Sequence, residues 1–239
     1  MLERTLEPEV MESEQEALEY NQMDHRAVNV DFVDGFLDLL AQHDKRLLSS
    51  EDPDFEQLDD PNVIASVLDV GTGTALIPIE LCQRNQRLRV MAIDLASSML
   101  DVAAQNIDLA GFRDAIQLAP EDAKETNFDD EMFDATISNS IIHHIGEPAL
   151  VVAEILRTTR AGGAIFVRDL MRPASEDTVN ELVQTWAGSE SAYSQRLFRD
   201  SLHASLTLNE MRELVAGFGI DRQTVTATSD RHWTWATIR

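Results

Sequence analysis

The stretch Val67-Leu68-Asp69-Val70-Gly71-Thr72-Gly73-Thr74 decides the fold of this chain. Its apolar residues predict a strand that runs into a glycine-containing turn, and a helical pattern follows at about residues 74 to 85. Because glycine has no Cβ, the backbone of such a turn can approach a ligand that a side chain would block. The stretch therefore predicts a ligand-binding turn between a strand and a helix.

Two aspartates lie at strand ends at a characteristic spacing from this turn. Asp69 comes at the end of the strand, and Asp94 ends the next apolar run, 21 residues after Gly73. A carboxylate at the second place can accept both hydroxyls of an adenosine ribose. The NAD-binding fingerprint needs a further glycine three residues after Gly73, where this chain has Leu76. The NAD interpretation therefore fails at its helix-packing glycine.

From residue 64 onward, short apolar runs alternate with amphipathic helical patterns, which is typical of βαβ units and a parallel sheet. Strands are predicted near residues 65–70, 88–94, 114–118, 132–138, 163–169, 221–228 and 232–238. Helices are predicted near residues 74–85, 97–110, 147–159 and 207–216. The pattern indicates an α/β fold with a seven-stranded, mostly parallel sheet, helices on both faces and a closing hairpin.

The chain is predicted to divide into an N-terminal extension and a ligand-binding domain, and each has helices outside the sheet pattern. Residues 1–62 form an N-terminal extension with helices near 14–20 and 25–42, followed by an acidic loop. Residues 63–239 form the ligand-binding domain, which carries a helical insertion near 173–205 after the fifth strand. A chain of 239 residues suits one such core better than two independent domains.

The composition limits the partners and the compartment. The formal charge is -24, which disfavours nucleic acids and anionic membranes as partners, because both attract basic proteins. Cys82 is the single cysteine, so no internal disulfide can form, and it is expected to be a small core residue. No leader pattern and no run of about 18 apolar residues is visible. We expect a cytoplasmic protein, with its oligomeric state left open.

Further motifs follow the glycine turn in a recognisable order over roughly residues 64–170. They begin with Asp69, Gly71 and Gly73 in an acidic-x-Gly-x-Gly pattern, with the small Ala75 where a third glycine is usual. The later motifs are Ala92–Leu100, Glu121–Ala123, Phe133–Ser140 and Leu156–Val167. Through these residues the chain resembles the Rossmann-like class I S-adenosylmethionine (SAM)-dependent methyltransferases that act on small molecules.

The resemblance implies SAM as the cofactor and a set of residues that bind it. These are Asp69, Gly71, Thr72, Gly73, Asp94, Leu95, Met99, Asp122, Ala123 and Asn139. By the resemblance, Asp94 contacts the ribose, while Asp122 accepts from the adenine amine and the Ala123 amide reaches the ring. Asn139 ends the fourth strand, which faces the methionine moiety.

His143 and His144 follow the fourth strand and are the candidate catalytic bases, because histidine titrates in the range that acceptor deprotonation needs. Similar pairs occur in the family across unrelated substrates, which favours a structural or cofactor-side role. No cysteine, and no further histidine or aspartate, lies at ligand spacing around the pair. We therefore predict no metal site.

Residues outside the shared motifs bear on the substrate. Tyr20 and Met23 precede Asp24 and His25 between the N-terminal helices, where related enzymes fold a lid; they either contact SAM or pack on the core. Arg168 and Arg172, with Asp169 between them, end the fifth strand; an arginine here holds a substrate carboxylate or forms a surface ion pair. Three aromatic residues of the insertion either line an acceptor pocket or, as we expect, form its own small core: Trp186, Tyr193 and Phe198.

The resemblance implies methyl transfer from SAM to a small-molecule acceptor by in-line displacement. The segment Asn139–Ile142 lacks the Pro-Pro-aromatic cradle of nucleic-acid and amide methyltransferases, which argues against nucleic acids and protein amides as substrates. A carboxy-SAM synthase-like reaction is one alternative, with Arg168, Arg172 or Arg199 holding a carboxylate. A non-catalytic SAM-binding partner of another enzyme is the second. The acceptor is not encoded in the shared motifs, because acceptor contacts come from variable loops.

Overall fold

A computed structural model describes residues 2–7, 14–23, 26–43 and 65–239. The helices are α1 (Glu14–Gln22), α2 (Arg26–His43), α3 (Leu76–Arg84), α4 (Ser97–Ala110), α5 (Pro148–Thr158), α6 (Glu176–Ala187), α7 (Ala192–Ala204) and α8 (Leu208–Ala216). The strands are β1 (Ala65–Val70), β2 (Leu88–Asp94), β3 (Ile116–Pro120), β4 (Phe133–Asn139), β5 (Thr159–Leu170), β6 (Val225–Ala227) and β7 (His232–Ile238). Short 3-10 helices cover Ile142–His144 and Arg222–Thr224.

The seven strands form one sheet in the order β3-β2-β1-β4-β5-β7-β6. Strands β1 to β5 are parallel, and β7 runs antiparallel to both β5 and β6. The α/β fold and the mostly parallel seven-stranded sheet are therefore confirmed. The predicted acidic loop and the boundary between residues 62 and 63 lie outside the described residues, as do Asp24 and His25.

Three strands, β3, β5 and β6, differ from the predicted bounds by two residues or more at an end, for local reasons. Strand β3 begins at Ile116, because a turn in which the N–H groups of Ala115 and Ile116 donate to the Phe112 carbonyl follows α4. Strand β5 begins at Thr159, since the chain pairs with Phe133 before an irregular register shift. Strand β6 is short because Asp221 caps a 3-10 turn, its side chain accepting from the Gln223 N–H.

Both faces of the sheet are covered, since successive strand side chains point to opposite faces. Val67 of β1 belongs to the cluster that α2, α3 and α4 cover, whereas Leu68 and Val70 belong to the cluster under α5 and α8. Cys82 is fully buried in the first cluster, as predicted for a core residue, and burial raises the pKa of its thiol to about 11. Because β1, β2 and β4 are parallel, their carboxyl ends lie at one edge of the sheet. The helices on the two faces leave that edge open.

The N-terminal segments pack on this body. Ala17 and Tyr20 of α1 lie against α4 beside Met99, and Phe32 of α2 packs edge-to-face on Phe166 of β5 at 5.1 Å between ring centroids. Residues 2–7 pack against the end of α7 and the 3-10 turn after β4, where the guanidinium of Arg4 donates to the carbonyls of Ala204 (2.6 Å) and Ile145 (3.0 Å). The N-terminal helices thus border the open edge of the sheet.

The region between β5 and α8 contains two helices, α6 and α7, which share a small cluster with Leu170. Phe198 packs against that cluster, as predicted. Trp186 does not: its side chain is half-exposed, its indole N–H donates to Asp230 at 2.9 Å, and the Arg231 guanidinium lies 3.5 Å from its ring centroid. The prediction that Trp186 forms the core of this region is therefore wrong, because α6 turns that face towards the β6–β7 turn.

Candidate functional site

A cleft lies at the carboxyl ends of the parallel strands, where open α/β sheets bind ligands. All ten residues that the sequence assigns to SAM line this cleft. They are Asp69, Gly71, Thr72, Gly73, Asp94, Leu95, Met99, Asp122, Ala123 and Asn139. Residues that are far apart in the chain thus meet at one place because their strands are neighbours in the sheet.

The glycine turn that follows β1 forms one wall of the cleft. Gly71 has a φ of 73°, and a Cβ added to it would lie 2.1 Å from Cγ2 of Ile141, so no side chain fits there. The Gly71 and Thr72 N–H groups both donate to the Ile93 carbonyl, which ties the turn to β2. At the position of the third glycine, Ala75 has a φ of 62°, a left-handed conformation that is unfavourable by about 1–2 kcal/mol for an L-residue. Backbone conformation, rather than size, therefore limits this position.

Asp69 is the most strongly perturbed acid of the cleft. Its side chain is buried at the end of β1, and its Oδ2 makes no hydrogen bond with any of the described residues. Burial raises the pKa of this carboxyl to about 7, although the nearby Thr72 hydroxyl opposes the shift. A buried acid without a charged partner is expected where a cationic ligand binds, because such a ligand replaces the lost solvation.

Asp94 holds the glycine turn and the start of α4 together. Its Oδ2 accepts the Gly73 N–H at 2.8 Å, and its Oδ1 accepts the Ala96 N–H at 2.9 Å. Burial raises its pKa, and these backbone bonds partly oppose the shift. Each carboxylate oxygen has two lone pairs, so both oxygens retain capacity for ligand hydroxyls.

The other predicted residues surround these acids. Asp122 accepts the Lys124 N–H at 2.9 Å and lies beside Ala123, while Leu95 and Met99 supply apolar surface. Asn139 ends β4, and its Oδ1 has no hydrogen-bond partner in the described part of the chain. The lining of the cleft therefore combines carboxylates, an amide oxygen without a hydrogen bond in the described residues, and apolar side chains.

Sequence reasoning missed several lining residues or left them undecided. Tyr20 of α1 lines the cleft, and its Cε1 lies 3.8 Å from the position of a Cβ on Gly73. Asn29 of α2 lines it as well, and so do Ile141 and Ile145 after β4. The one sequence signal for this part of the lining is the polar Asn29 between two valines. Helical periodicity predicts which face of a helix is apolar, but it does not predict what that face contacts.

The two adjacent histidines occupy different environments. The described lining of the cleft includes His144 but not His143, whose side chain is only 4% exposed. His143 Nδ1 lies 2.5 Å from Oδ1 of Asp169, and its backbone N–H donates to Oδ2 of the same residue. Burial lowers the pKa of His143, but Asp169 and Glu7 outweigh burial and the pKa is raised. Of the two, His144 is thus the one that can contact a bound acceptor.

The structure adds a carboxylate to this pair that the sequence argument did not consider. Oε1 of Glu7 lies 3.4 Å from His143 Nε2 and 3.3 Å from His144 Nδ1, and burial raises the pKa of Glu7. The prediction of no metal site depended on finding no further ligand near the pair in sequence. That reason no longer holds, because residues 2–7 bring Glu7 from the other end of the chain.

The three arginines considered as ligands for a substrate carboxylate have other partners. Arg168 pairs with Asp31 at 2.6 Å, and Arg172 pairs with Glu210 at 2.6 Å. Arg199 donates to Asn180 at 2.7 Å. As far as the described residues go, none of the three belongs to the lining of the cleft. The ion-pair alternative therefore applies to Arg168 and Arg172, and none of these three arginines reaches the described lining to hold a substrate carboxylate.

Comparisons with known proteins agree with the motifs. Residues 68–167 match the family model described as a methyltransferase domain. The chain is 34% identical over 101 residues to a phosphatidylethanolamine N-methyltransferase of Cereibacter sphaeroides, covering 42% of this chain and 48% of that protein. It is 27% identical over 111 residues to a demethylmenaquinone methyltransferase of Porphyromonas gingivalis, covering 46% and 45%. The chain therefore spans about half the length of these relatives.

Solved structures share the fold at low identity. A SAM-dependent methyltransferase from Aquifex aeolicus superposes with a TM-score of 0.55 and 16% identity, covering 78% of this chain and 93% of that one. The plantazolicin methyltransferase BamL, solved with S-adenosylhomocysteine (SAH), gives a TM-score of 0.64 and 16% identity, covering 89% and 69%. Within the described residues, no helix has the length and apolar character needed to cross a bilayer.

Proposed function

The chain belongs to the class I SAM-dependent methyltransferase family, and we propose that its cleft binds SAM and transfers the methyl group to a small-molecule acceptor. The observation that carries this proposal is the environment of Asp69. SAM brings an ammonium group and a sulfonium group, and a cation beside the buried Asp69 carboxylate would favour its ionised form. The other groups of the cleft suit the remaining parts of the same ligand.

The nucleoside end of SAM fits the wall formed by β2, α4 and the loop after β3. Asp94 can accept the two ribose hydroxyls while it keeps its bonds to Gly73 and Ala96. Asp122 and the Ala123 amide offer an acceptor and a donor for the adenine edge, and Met99 offers an apolar contact for the ring. Asn139 remains for the methionine end, because its Oδ1 lacks a partner in the described residues.

Bound SAM supplies an activated methyl group, which an acceptor nucleophile takes by in-line displacement to leave SAH. The chain's main contribution is positioning, since holding two reactants in a near-attack geometry can lower a barrier by about 7–11 kcal/mol. Tyr20 of α1 and Asn29 of α2 line the cleft and would exclude water during transfer. His144 is the imidazole at the cleft wall and would receive a proton from an acceptor that needs deprotonation.

The proposal of a small-molecule acceptor draws on the net charge of the chain. A formal charge of -24 opposes binding to polyanions such as nucleic acids. The relatives are named for different acceptors, among them phosphatidylethanolamine and demethylmenaquinone, so the acceptor does not follow from the family. The carboxy-SAM alternative has no support from Arg168, Arg172 or Arg199, which all have other partners.

The first test is calorimetry with SAM and SAH on the purified chain and on two matched variants. We expect a dissociation constant in the micromolar range or tighter, which corresponds to about -8 kcal/mol. Asp94→Ala should weaken SAM binding by about 100-fold or more, because hydrogen bonds to a charged group contribute about 1.5–3 kcal/mol each. Asp101→Ala, which removes an exposed acid of α4, should leave the affinity unchanged.

Melting curves of the same variants distinguish a binding role from a structural one, because Asp94 also accepts two backbone N–H groups. An absence of heat with millimolar SAM, or equal affinity in Asp94→Ala and the parent, would contradict the proposal. A screen of small-molecule acceptors that records SAH release then tests turnover. SAM binding without SAH release from any acceptor class would favour the non-catalytic alternative.

A further inference from the structure

Three side chains that can bind a metal converge beside the cleft, and we call them the Glu7–histidine cluster. It consists of Glu7 from the N-terminal strap of residues 2–7 and of His143 and His144 from the 3-10 turn after β4. One ligand atom from each side chain lies within 4.8 Å of the others. The Glu7 and His143 side chains are only 9% and 4% exposed, which shields the cluster from bulk solvent.

The two separations between Glu7 and the histidines are compatible with a shared ion. Glu7 Oε1 lies 3.4 Å from His143 Nε2 and 3.3 Å from His144 Nδ1, yet it makes no hydrogen bond in the described residues. Zinc binds histidine nitrogen and carboxylate oxygen at about 2.0–2.2 Å, so ligand atoms of a tetrahedral site are about 3.3–3.6 Å apart. A buried carboxylate oxygen that makes no hydrogen bond is otherwise unfavourable.

A second carboxylate orients His143 towards Glu7. Asp169 is buried at the end of β5; its Oδ1 lies 2.5 Å from His143 Nδ1 and its Oδ2 accepts the His143 N–H. With Nδ1 occupied by Asp169, Nε2 is the nitrogen that faces Glu7. Metal-binding histidines are commonly held in this way, by a carboxylate that fixes the ring and its tautomer.

Neighbouring side chains orient Glu7 and set the net charge around the cluster. Oε2 of Glu7 accepts from the Ser201 hydroxyl at 3.4 Å, which turns Oε1 towards the histidines. The Arg4 guanidinium opposes a cation, but it is bonded to the carbonyls of Ala204, Ile145 and His143. Two carboxylates, Glu7 and Asp169, outnumber this single charge.

From this geometry we infer that the Glu7–histidine cluster binds a divalent transition-metal ion of the zinc class. Glu7 Oε1, His143 Nε2 and His144 Nδ1 are the ligands, and Asp169 is a positioning residue. Two histidines and one carboxylate form a donor set that zinc and ferrous iron both use, with a position left open for water or substrate. Because His144 also lines the cleft, the ion lies at the cleft wall, and an ion on Nδ1 would make His144 a ligand in place of the base role proposed above.

The test is metal binding to the full chain, prepared without a histidine tag and freed of metal with a chelator. Titration with Zn²⁺ in a calorimeter should show one ion per chain, bound in the micromolar range or tighter. Cobalt(II) should give the visible absorption of a site with nitrogen and oxygen ligands. Glu7→Gln, which keeps the shape of the side chain, should weaken zinc binding by about tenfold or more. The readout needs neither SAM nor turnover, so it is independent of the proposed function.

A matched control is His203→Gln. His203 faces one carboxylate, with its Nε2 3.4 Å from Glu176 Oε1, and its side chain is 20% exposed, as is that of His144. It belongs to no three-ligand group among the described residues, so the substitution should leave zinc binding unchanged. Equal affinity in Glu7→Gln and the parent, or no zinc binding by the parent, would overturn the inference.

Two further variants keep the test decisive if a buried change prevents folding. His144→Gln alters the side chain at the cleft wall and should weaken zinc binding as Glu7→Gln does. Asp169→Asn keeps all three ligands and should lower the affinity by about 10–100-fold without changing the number of ions bound. Circular dichroism and melting curves confirm that each variant is folded, and unchanged affinity in a folded His144→Gln also overturns the inference.

Discussion

Replacing Asp69 with asparagine should make the protein more stable and a weaker binder of SAM. The carboxyl of Asp69 is buried, its Oδ2 lacks a hydrogen bond in the described residues, and its pKa is raised from 3.8 to about 7. Asparagine has nearly the same shape and stays neutral. The substitution therefore removes an unfavourable buried charge at neutral pH, and with it the group proposed to meet the cationic end of SAM.

The sign and the size of the stability effect follow from the two pKa values. Between pH 3.8 and about 7, the folded state keeps a proton that the unfolded state has lost, so the free energy of unfolding falls as pH rises. A difference of about 3 pKa units corresponds to roughly 4 kcal/mol. Above pH 7, Asp69→Asn should thus be more stable than the parent by up to roughly 4 kcal/mol. For a chain of this length that is about 8–16 °C in melting temperature.

The assay is chemical or thermal unfolding of parent and Asp69→Asn from pH 4 to 8. The difference between the two proteins should be near zero at pH 4, grow with pH and level off above about pH 7. Comparing differences cancels the titration of all other groups. Asp101→Asn, at an exposed site on α4, should follow the parent at every pH.

SAM titrations at pH 8 complete the experiment. Loss of one charged contact should weaken binding by about 10- to 100-fold, while the parent's affinity should rise with pH up to about 7 as Asp69 ionises. The reasoning is refuted if Asp69→Asn is no more stable than the parent at pH 8. It is also refuted if the variant binds SAM equally well, because Asp69 would then have no cationic partner.

Two further predictions concern the N-terminal segments. Tyr20→Ala should weaken SAM binding by about tenfold or more, since its ring lies 3.8 Å from the Gly73 Cβ position, whereas Leu18→Ala, at an exposed site on the same helix, should not; calorimetry decides. Arg4→Ala should lower the free energy of unfolding by about 2–4 kcal/mol, because buried carbonyls lose a charged donor. Arg222→Ala, which breaks only an exposed ion pair, should change it by about 1 kcal/mol or less in the same denaturation assay.

The sequence predicted most of the fold because the signals for it are local. Strands β1, β2 and β7 and helix α4 have the predicted bounds, since an apolar run between turn residues, or a helical period between caps, contains its own limits. The ten residues predicted to bind the cofactor line one cleft for a related reason. They follow strands, and parallel neighbours bring their carboxyl ends to one edge whatever the detailed packing.

Tertiary structure alone decided the contacts between segments distant in the chain. No spacing rule links Glu7 to His143, or Tyr20 to Gly73, because those contacts depend on how the N-terminal segments pack on the finished sheet. The pKa of Asp69 belongs to the same class, since desolvation depends on everything that surrounds a group and not on its neighbours in sequence. The sequence determined which residues at the strand ends reach the cleft, and packing determined which other segments line it, the charge state of Asp69 and the partners of these residues.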